Sequence, residues 1–261
     1  WRGGVHPGGC RLVVGLPDLG APRSTGQCRR RQTVSARDFI VHVDAHLIVV
    51  DKPAELLSVP GRGPDRQDCA ATRVQARYPE ALVVHRLDQS TSGLLIFARG
   101  LPAQRALSAA FEQRRVRKRY EALAEGWPAA ESGCTDLPLM ADWPRRPRQK
   151  VDVAHGKASL TRWWRLAPAV PSATDASSGS AGPAEPGQPL GCRLALEPVT
   201  GRSHQLRVHL AAIGHPLWGD NLYAPPEVLA RSPRLCLHAR ELELPHPATG
   251  DTFTVRSPVP F

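Results

Sequence analysis

The stretch VVHRLDQSTSGLLIFARG, Val83 to Gly100, reads as strand, loop, strand. Apolar residues Leu82 to Val84 and Leu94 to Phe97 flank it on both sides, and the run Ser90-Thr91-Ser92-Gly93 between them has turn chemistry. Asp88 is the only carboxylate of the loop and stands between Arg86 and that turn. On these residues alone two readings remain. In one, Asp88 caps the turn through its own side chain. In the other, two buried strands hold a carboxylate rigidly enough for chemistry.

Working outward, FIVHVDAHLIVVDKP reads as two short strands around an Asp-Ala-His turn, and DCAATRVQARYP as a helix with Ala71, Val74 and Tyr78 at helical spacing. LPAQRALSAAFEQRRV is predicted to be an amphipathic helix with Ala103, Leu107, Ala110 and Phe111 on one face. KRYEALAEGW, ASLTRWWRL and CRLALEPV read as strands, and GRSHQLRVHLAAIG as a helix closed by Gly214. No regular alternation of strand and helix runs through the chain. The expectation is therefore an α+β fold, with a mixed, largely antiparallel sheet, flanking helices and loops, and a cleft across the sheet.

The 261 residues suffice for one large domain, and the formal charge of +10 favours a polyanionic partner. Half of that excess lies in residues 1–34, which hold six arginines and one aspartate. Residues 1–36 read as a disordered basic tail and residues 37–261 as the folded domain. Residues 168–191, rich in Pro, Gly, Ser and Ala, read as a disordered insertion in a hairpin, because strand-like sequence flanks them. Six widely spaced cysteines without a CxxC pair suit reduced thiols in a cytoplasmic protein, and no apolar run is long enough for a membrane span.

Three further segments carry candidate chemistry. TGRSHQLRVH, Thr200 to His209, leads from a strand through a Thr-Gly turn into a helix and brings Arg202, His204 and Arg207. Arg207 borders the apolar face, where an arginine needs a carboxylate partner. His204 and His209 lack the i, i+4 spacing of a helical metal pair, so no metal site is expected. RRVRKR, Arg114 to Arg119, includes Arg117 and Lys118 and runs into Tyr120. DWPRRPRQK sets Arg145, Arg146, Arg148 and Lys150 after Trp143, with Pro144 and Pro147 stiffening the segment. A basic run is usually a solvated face, but prolines and an aromatic suit a finger that follows a phosphate backbone.

In their order these motifs resemble the RluA family of pseudouridine synthases. HRLDQSTSG meets the family pattern HRLDxxTSG, and TGRSHQLRVH meets TGRxHQxRxH. VVDKPAELLSVPG resembles the opening strand pair, LAAIGHPLWGDNLY the segment after the second motif, and DLPLMADWPRRPRQKV the short RluA type, which has no S4-like domain ahead of it. The likeness runs over roughly residues 37–261. One departure is GKASLT, where Ser159 replaces a frequent alanine.

The resemblance implies an isomerase that breaks the C1′–N1 bond of a uridine in RNA, turns the base and joins C5 to C1′, without cofactor or metal. By position-matching, Asp88 is the essential carboxylate, acting covalently or by removing a ribose proton, Arg207 the buried cation that answers it, and Tyr120 the residue that stacks on the base. The target must leave its stack, and Arg86 is placed to fill the space. His85, Arg117, Lys118, Trp143, Arg145, Arg146, Arg148, Lys150, Arg202 and His204 are the implied RNA contacts. The RluA type further implies a monomer with dual specificity, for uridine 746 of 23S rRNA and uridine 32 of the tRNA anticodon stem-loop. Another rRNA or tRNA site, or a non-catalytic RNA-binding role in ribosome assembly, is the alternative. The presence of Asp88, Tyr120 and Arg207 together favours an enzyme.

Overall fold

The computed structural model describes residues 39–169 and 189–261. The expected tail, and all of the expected insertion but its edges, lie outside them. The strands are β1 (Ile40–Val43), β2 (Leu47–Lys52), β3 (Ala81–Val83), β4 (Ser92–Arg99), β5 (Arg117–Glu125) and β6 (Ser132–Thr135). They continue with β7 (Leu139–Ala141), β8 (Gln149–Val151), β9 (Thr161–Pro168), β10 (Gly191–Pro198), β11 (Leu237–Pro245) and β12 (Thr252–Arg256). The helices are α1 (Ala70–Gln75), α2 (Gly100–Glu112), α3 (Gln205–Ala212) and α4 (Pro226–Leu229). Pro168 and Gly191, assigned from sequence to the insertion, instead end β9 and begin β10, with Pro168 paired to Cys192. Backbone pairing extends the hairpin further than composition suggests.

Ten strands form one sheet in the order β1-β2-β4-β11-β5-β10-β9-β6, with β12 on β11 and β3 on β4, while β7 and β8 make a separate hairpin. Every pairing in the large sheet is antiparallel except β4 with β11. The mixed, largely antiparallel α+β fold is as the sequence predicts.

The centre of the sheet is buried on both faces. On one face Ile48, Val50, Leu95 and Phe97 pack with Ala70, Ala71 and Val74 of α1. On the other, Leu47, Val49, Leu94 and Ile96 pack with Ala103, Leu107 and Ala110 of α2. This double burial explains why β2 and β4 are continuous apolar runs rather than alternating ones. Further along, Leu206 and Leu210 of α3 cover Ala122, Leu194 and Leu196.

The parallel junction of β4 and β11 dictates a motif residue. Ser92 and Gly93 register with His238 and Ala239, and Gly93 has φ of 112°. A Cβ at Gly93 would lie 2.4 Å from the Ala239 carbonyl oxygen, so only glycine fits. The Ser-Gly after the Asp88 loop thus sets how closely the central strands join.

Candidate active site

The segment expected to run as strand into the motif does so only as far as Val83, and His85 to Asp88 form an irregular loop. That loop is fastened on both sides of Asp88. Ser58 Oγ donates to the Leu87 carbonyl (2.7 Å) and accepts from the Leu87 amide (3.0 Å). Lys52 Nζ, fully buried at the end of β2, donates to the carbonyls of Gln89 (3.0 Å), Leu56 (2.8 Å) and Pro53 (2.9 Å). Burial pushes this lysine down to about 7, while Glu55 and Asp88 act in the opposite sense. Lys52 and Ser58 lie in the stretch quoted above for the opening strand pair, but nothing local marks them as supports of a loop some thirty residues away.

The Asp88 carboxylate, 26% exposed, faces two groups from the second motif. His204 Nε2 is 3.9 Å from Oδ1 and Arg207 Nη1 is 4.0 Å from Oδ2, distances too long for direct hydrogen bonds. Arg207 stands beside Asp88 as the sequence predicts, but Asp88 is not its closest carboxylate. Arg207, 2% exposed, makes a bidentate pair with fully buried Asp220, Nε to Oδ2 at 2.8 Å and Nη2 to Oδ1 at 2.6 Å. Its Nη1 turns to Ser90 Oγ (3.4 Å) and toward Asp88. Burial alone would lower the guanidinium, and the Asp220 pair outweighs it, leaving the value raised. A buried arginine needs a close, geometrically matched carboxylate, and Asp220 supplies it.

Tyr120 on β5 closes the other side. Burial, then the negative charge of Asp88, push its hydroxyl well above the usual tyrosine range, so it keeps its proton. Asp88, Tyr120, Lys118, Arg202, His204 and Arg207 all line a cavity of about 380 Å³. A second cavity of about 370 Å³ shares Arg86, Asp88, His204 and Arg207 and reaches Pro147 of the β7–β8 hairpin and Asn221. Exposed Arg86 borders both cavities.

The two basic clusters part company. Lys118 faces the cavity, and burial lowers its value. Arg117, one residue earlier on β5, projects from the opposite face and pairs with Glu197 (2.9 Å). Strand alternation separates what looked like one continuous RNA-facing run. His85 is also not an exposed contact. Its Nε2 accepts the Ile96 amide (3.1 Å), its ring stacks on Phe111 at 4.6 Å, and burial, with Lys118 adding to it, holds it near 3.

On the β7–β8 hairpin, Trp143 is 64% exposed and Arg146 lies 3.1 Å over its ring. Arg145 pairs with Asp142 (2.7 Å) and Lys150 with Asp152 (3.1 Å), while Arg148 lies 5.4 Å from the Tyr223 ring. Arg146 and Arg148 form no ion pair among the described residues. They are the hairpin cations available to phosphates.

The second motif is built as a turn before it becomes a helix. Gln205 Oε1 accepts from Thr200 Oγ1 (2.7 Å) and the Arg202 amide (3.0 Å), and its Nε2 donates to the Leu160 carbonyl (2.9 Å). The helix starts only at Gln205 because His204 is left-handed, with φ of 54°. His209 is a buried latch between Thr161 Oγ1 (2.9 Å) and the Leu137 carbonyl (2.9 Å). Ser159, the departure from alanine, adds a 3.1 Å contact to the same ring.

An irregular loop presents a carboxylate to a buried arginine, a neutral tyrosine and a basic rim, all on a mixed sheet, an arrangement suited to work on a polyanion. The comparisons identify the class. Residues 46–212 match the family model described as RNA pseudouridylate synthase. The chain is 44% identical over 222 residues to the dual-specificity RNA pseudouridine synthase RluA of Escherichia coli (strain K12), covering 85% of this chain and 93% of that protein. It is 41% identical, over the same shares, to the protein of that name from Haemophilus influenzae (strain Rd). Among solved structures, human RNA Pseudouridylate Synthase Domain Containing 1 superposes with a TM-score of 0.67 at 28% identity, covering 85% of this chain and 84% of that one. Domain Containing 4 shares the fold, with a TM-score of 0.65 at 22% identity over 86% and 90%. The chain therefore belongs to the RNA pseudouridylate synthase family, within it to the RluA type, and is an RNA pseudouridine synthase, an isomerase. No helix among the described residues is long and apolar enough to cross a membrane.

Proposed function

We propose that this enzyme, working in the cytoplasm without a cofactor, converts one uridine of 23S rRNA and one of the tRNA anticodon stem-loop, at positions 746 and 32, with Asp88 as the reacting carboxylate. The observation that carries the reading is the fastening of Asp88. Ser58 and Lys52 fix the backbone on either side of it, and its oxygens are aimed at a cavity large enough for a nucleotide base. The dual specificity in the names of relatives at 41–44% identity supports two RNA targets rather than one.

In this reading the target uridine leaves its stack and enters the 380 Å³ cavity, and Arg86 fills the gap between neighbouring bases. The base stacks against Tyr120, whose neutral hydroxyl supplies a hydrogen bond or proton at the ring. Asp88 acts on the ribose as the C1′–N1 bond breaks and is regenerated when C5 bonds to C1′, and the proton that C5 then loses is balanced by the one that N1 gains. Arg207, held by Asp220, keeps a fixed positive charge near the carboxylate while that charge moves. Arg146 and Arg148 of the hairpin, with Lys118 and Arg202 at the cavity, take the phosphates on either side.

Incubating the purified chain with transcripts of the rRNA hairpin and the tRNA anticodon stem-loop tests the choice of RNAs. Carbodiimide-adduct primer extension should give one stop in each. Conversion of only one RNA, or a stop at a different uridine, would contradict the dual assignment.

A further inference from the structure

His204 has a role that its place at the cavity rim does not convey. Its side chain is 12% exposed and its backbone left-handed, a conformation that a non-glycine residue holds only when its surroundings compensate the strain. Nδ1 lies 2.6 Å from Tyr223 Oη, and Nε2 is the atom facing Asp88 Oδ1 at 3.9 Å. The same Tyr223 oxygen accepts the backbone N–H of Gln149, the first residue of β8, at 2.8 Å.

A phenol oxygen bears one proton and accepts through its lone pairs. Gln149 occupies an acceptor position on Tyr223, and the acceptor within reach of the Tyr223 proton is His204 Nδ1. Burial pushes the Tyr223 hydroxyl up to about 12, so that proton stays in place. The groups facing the His204 ring are Asp88, Asp220, Arg207, Arg86 and Tyr223. Burial lowers its value, with Arg207 and Arg86 acting the same way and Asp88 and Asp220 opposing. A neutral ring whose Nδ1 accepts must carry its single proton on Nε2.

We propose that Tyr223 locks His204 in the Nε2–H tautomer, making His204 the positioning residue that orients the Asp88 carboxylate as the ribose approaches. Because Tyr223 is anchored by Gln149, the lock includes the root of the hairpin that carries Arg146 and Arg148. The orienting role rests on the reading of Asp88 as the reacting carboxylate, whereas the tautomer does not.

Two readouts test it on the full chain. Long-range ¹H–¹⁵N correlation of the labelled imidazoles should show His204 as Nε2–H, and Tyr223→Phe should release it to a tautomer mixture. An Nδ1–H pattern in the unaltered protein would overturn the lock, whatever Asp88 does. In kinetics, His204→Gln places a donor near the Nε2 position, while His204→Asn suits the left-handed backbone better but cannot reach. Asparagine should therefore lower kcat by about 10²-fold with KM little changed, and glutamine should recover most of that loss. Asparagine as active as glutamine, or more so, would reduce His204 to a backbone role and overturn the proposal. An active Asp88→Asn variant would overturn the orienting role alone, leaving the spectrum unchanged.

Discussion

Arg207 and Asp220 form a pair with almost no solvent contact, so each is indispensable to the other's burial. Asp220→Ala should cost about 3–5 kcal/mol in urea denaturation, because it strands a buried guanidinium. A loss under about 0.5 kcal/mol would mean that Ser90 and Asn221 suffice to hold Arg207. Lys52 is as exacting. Lys52→Met fills the same space but leaves three carbonyls without their donor, and each buried acceptor left unpaired costs about 1–3 kcal/mol. Stability and kcat should both fall, since the Gln89 carbonyl is one of the three. Unchanged kcat in that variant would sever Lys52 from the Asp88 loop. Asp88, Tyr120 and Arg207 were legible because each sits in or beside a contiguous motif. Lys52, Asp220 and Tyr223 were not, though all three lie in quoted stretches. Their roles arise from through-space contacts, and nothing local in the sequence marks Asp220, thirteen residues after Arg207, as its closest carboxylate.

At the scale of elements, the β4–β11 junction and the β7–β8 hairpin divide structure from recognition. Gly93→Ala would press a Cβ into the Ala239 backbone at a positive φ, so the expected outcome is a protein that is insoluble or lowered in stability by several kcal/mol. A thermal midpoint within a few degrees of the parent would show that the junction can open. In the hairpin, Arg146→Ala with Arg148→Ala should weaken RNA binding and flatten the plot of log K against log salt by roughly 1.4–1.8. An unchanged slope would remove both cations from the phosphate path. Strand periodicity could have corrected one expectation in advance. Arg117 and Lys118 are adjacent on a strand, so only one of them can face the cleft. The shorter α3 was not foreseeable from apolar spacing, because the Gln205 side chain and the left-handed His204 set where that helix begins.

For the whole molecule, the class of fold was readable because the segments lack a regular alternation of strand and helix, even though β2 and β4, buried on both faces, carry the unbroken apolar runs more usual in parallel sheets. Strand order was not, since the parallel pairing of β4 with β11 joins residues some 145 apart. The folded protein also buries several imidazoles in neutral form. His85, His204, His209 and His238 are all held below their ordinary value chiefly by burial. The unfolded chain therefore binds more protons near and below pH 6.5, so stability should be full above that value and decline as pH falls from 6.5 toward 5. Thermal midpoints across that window check the sign, and the decline should be shallower in His85→Gln. Ser58, Lys52, His204 and Arg207 meet around one carboxylate, which makes its removal the most direct measurement. The Asp88→Asn variant, near-isosteric with the parent, should bind the rRNA and tRNA transcripts about as well as the parent while carbodiimide mapping shows no pseudouridine in either. Pseudouridine formed at a near-normal rate by that variant would contradict the account.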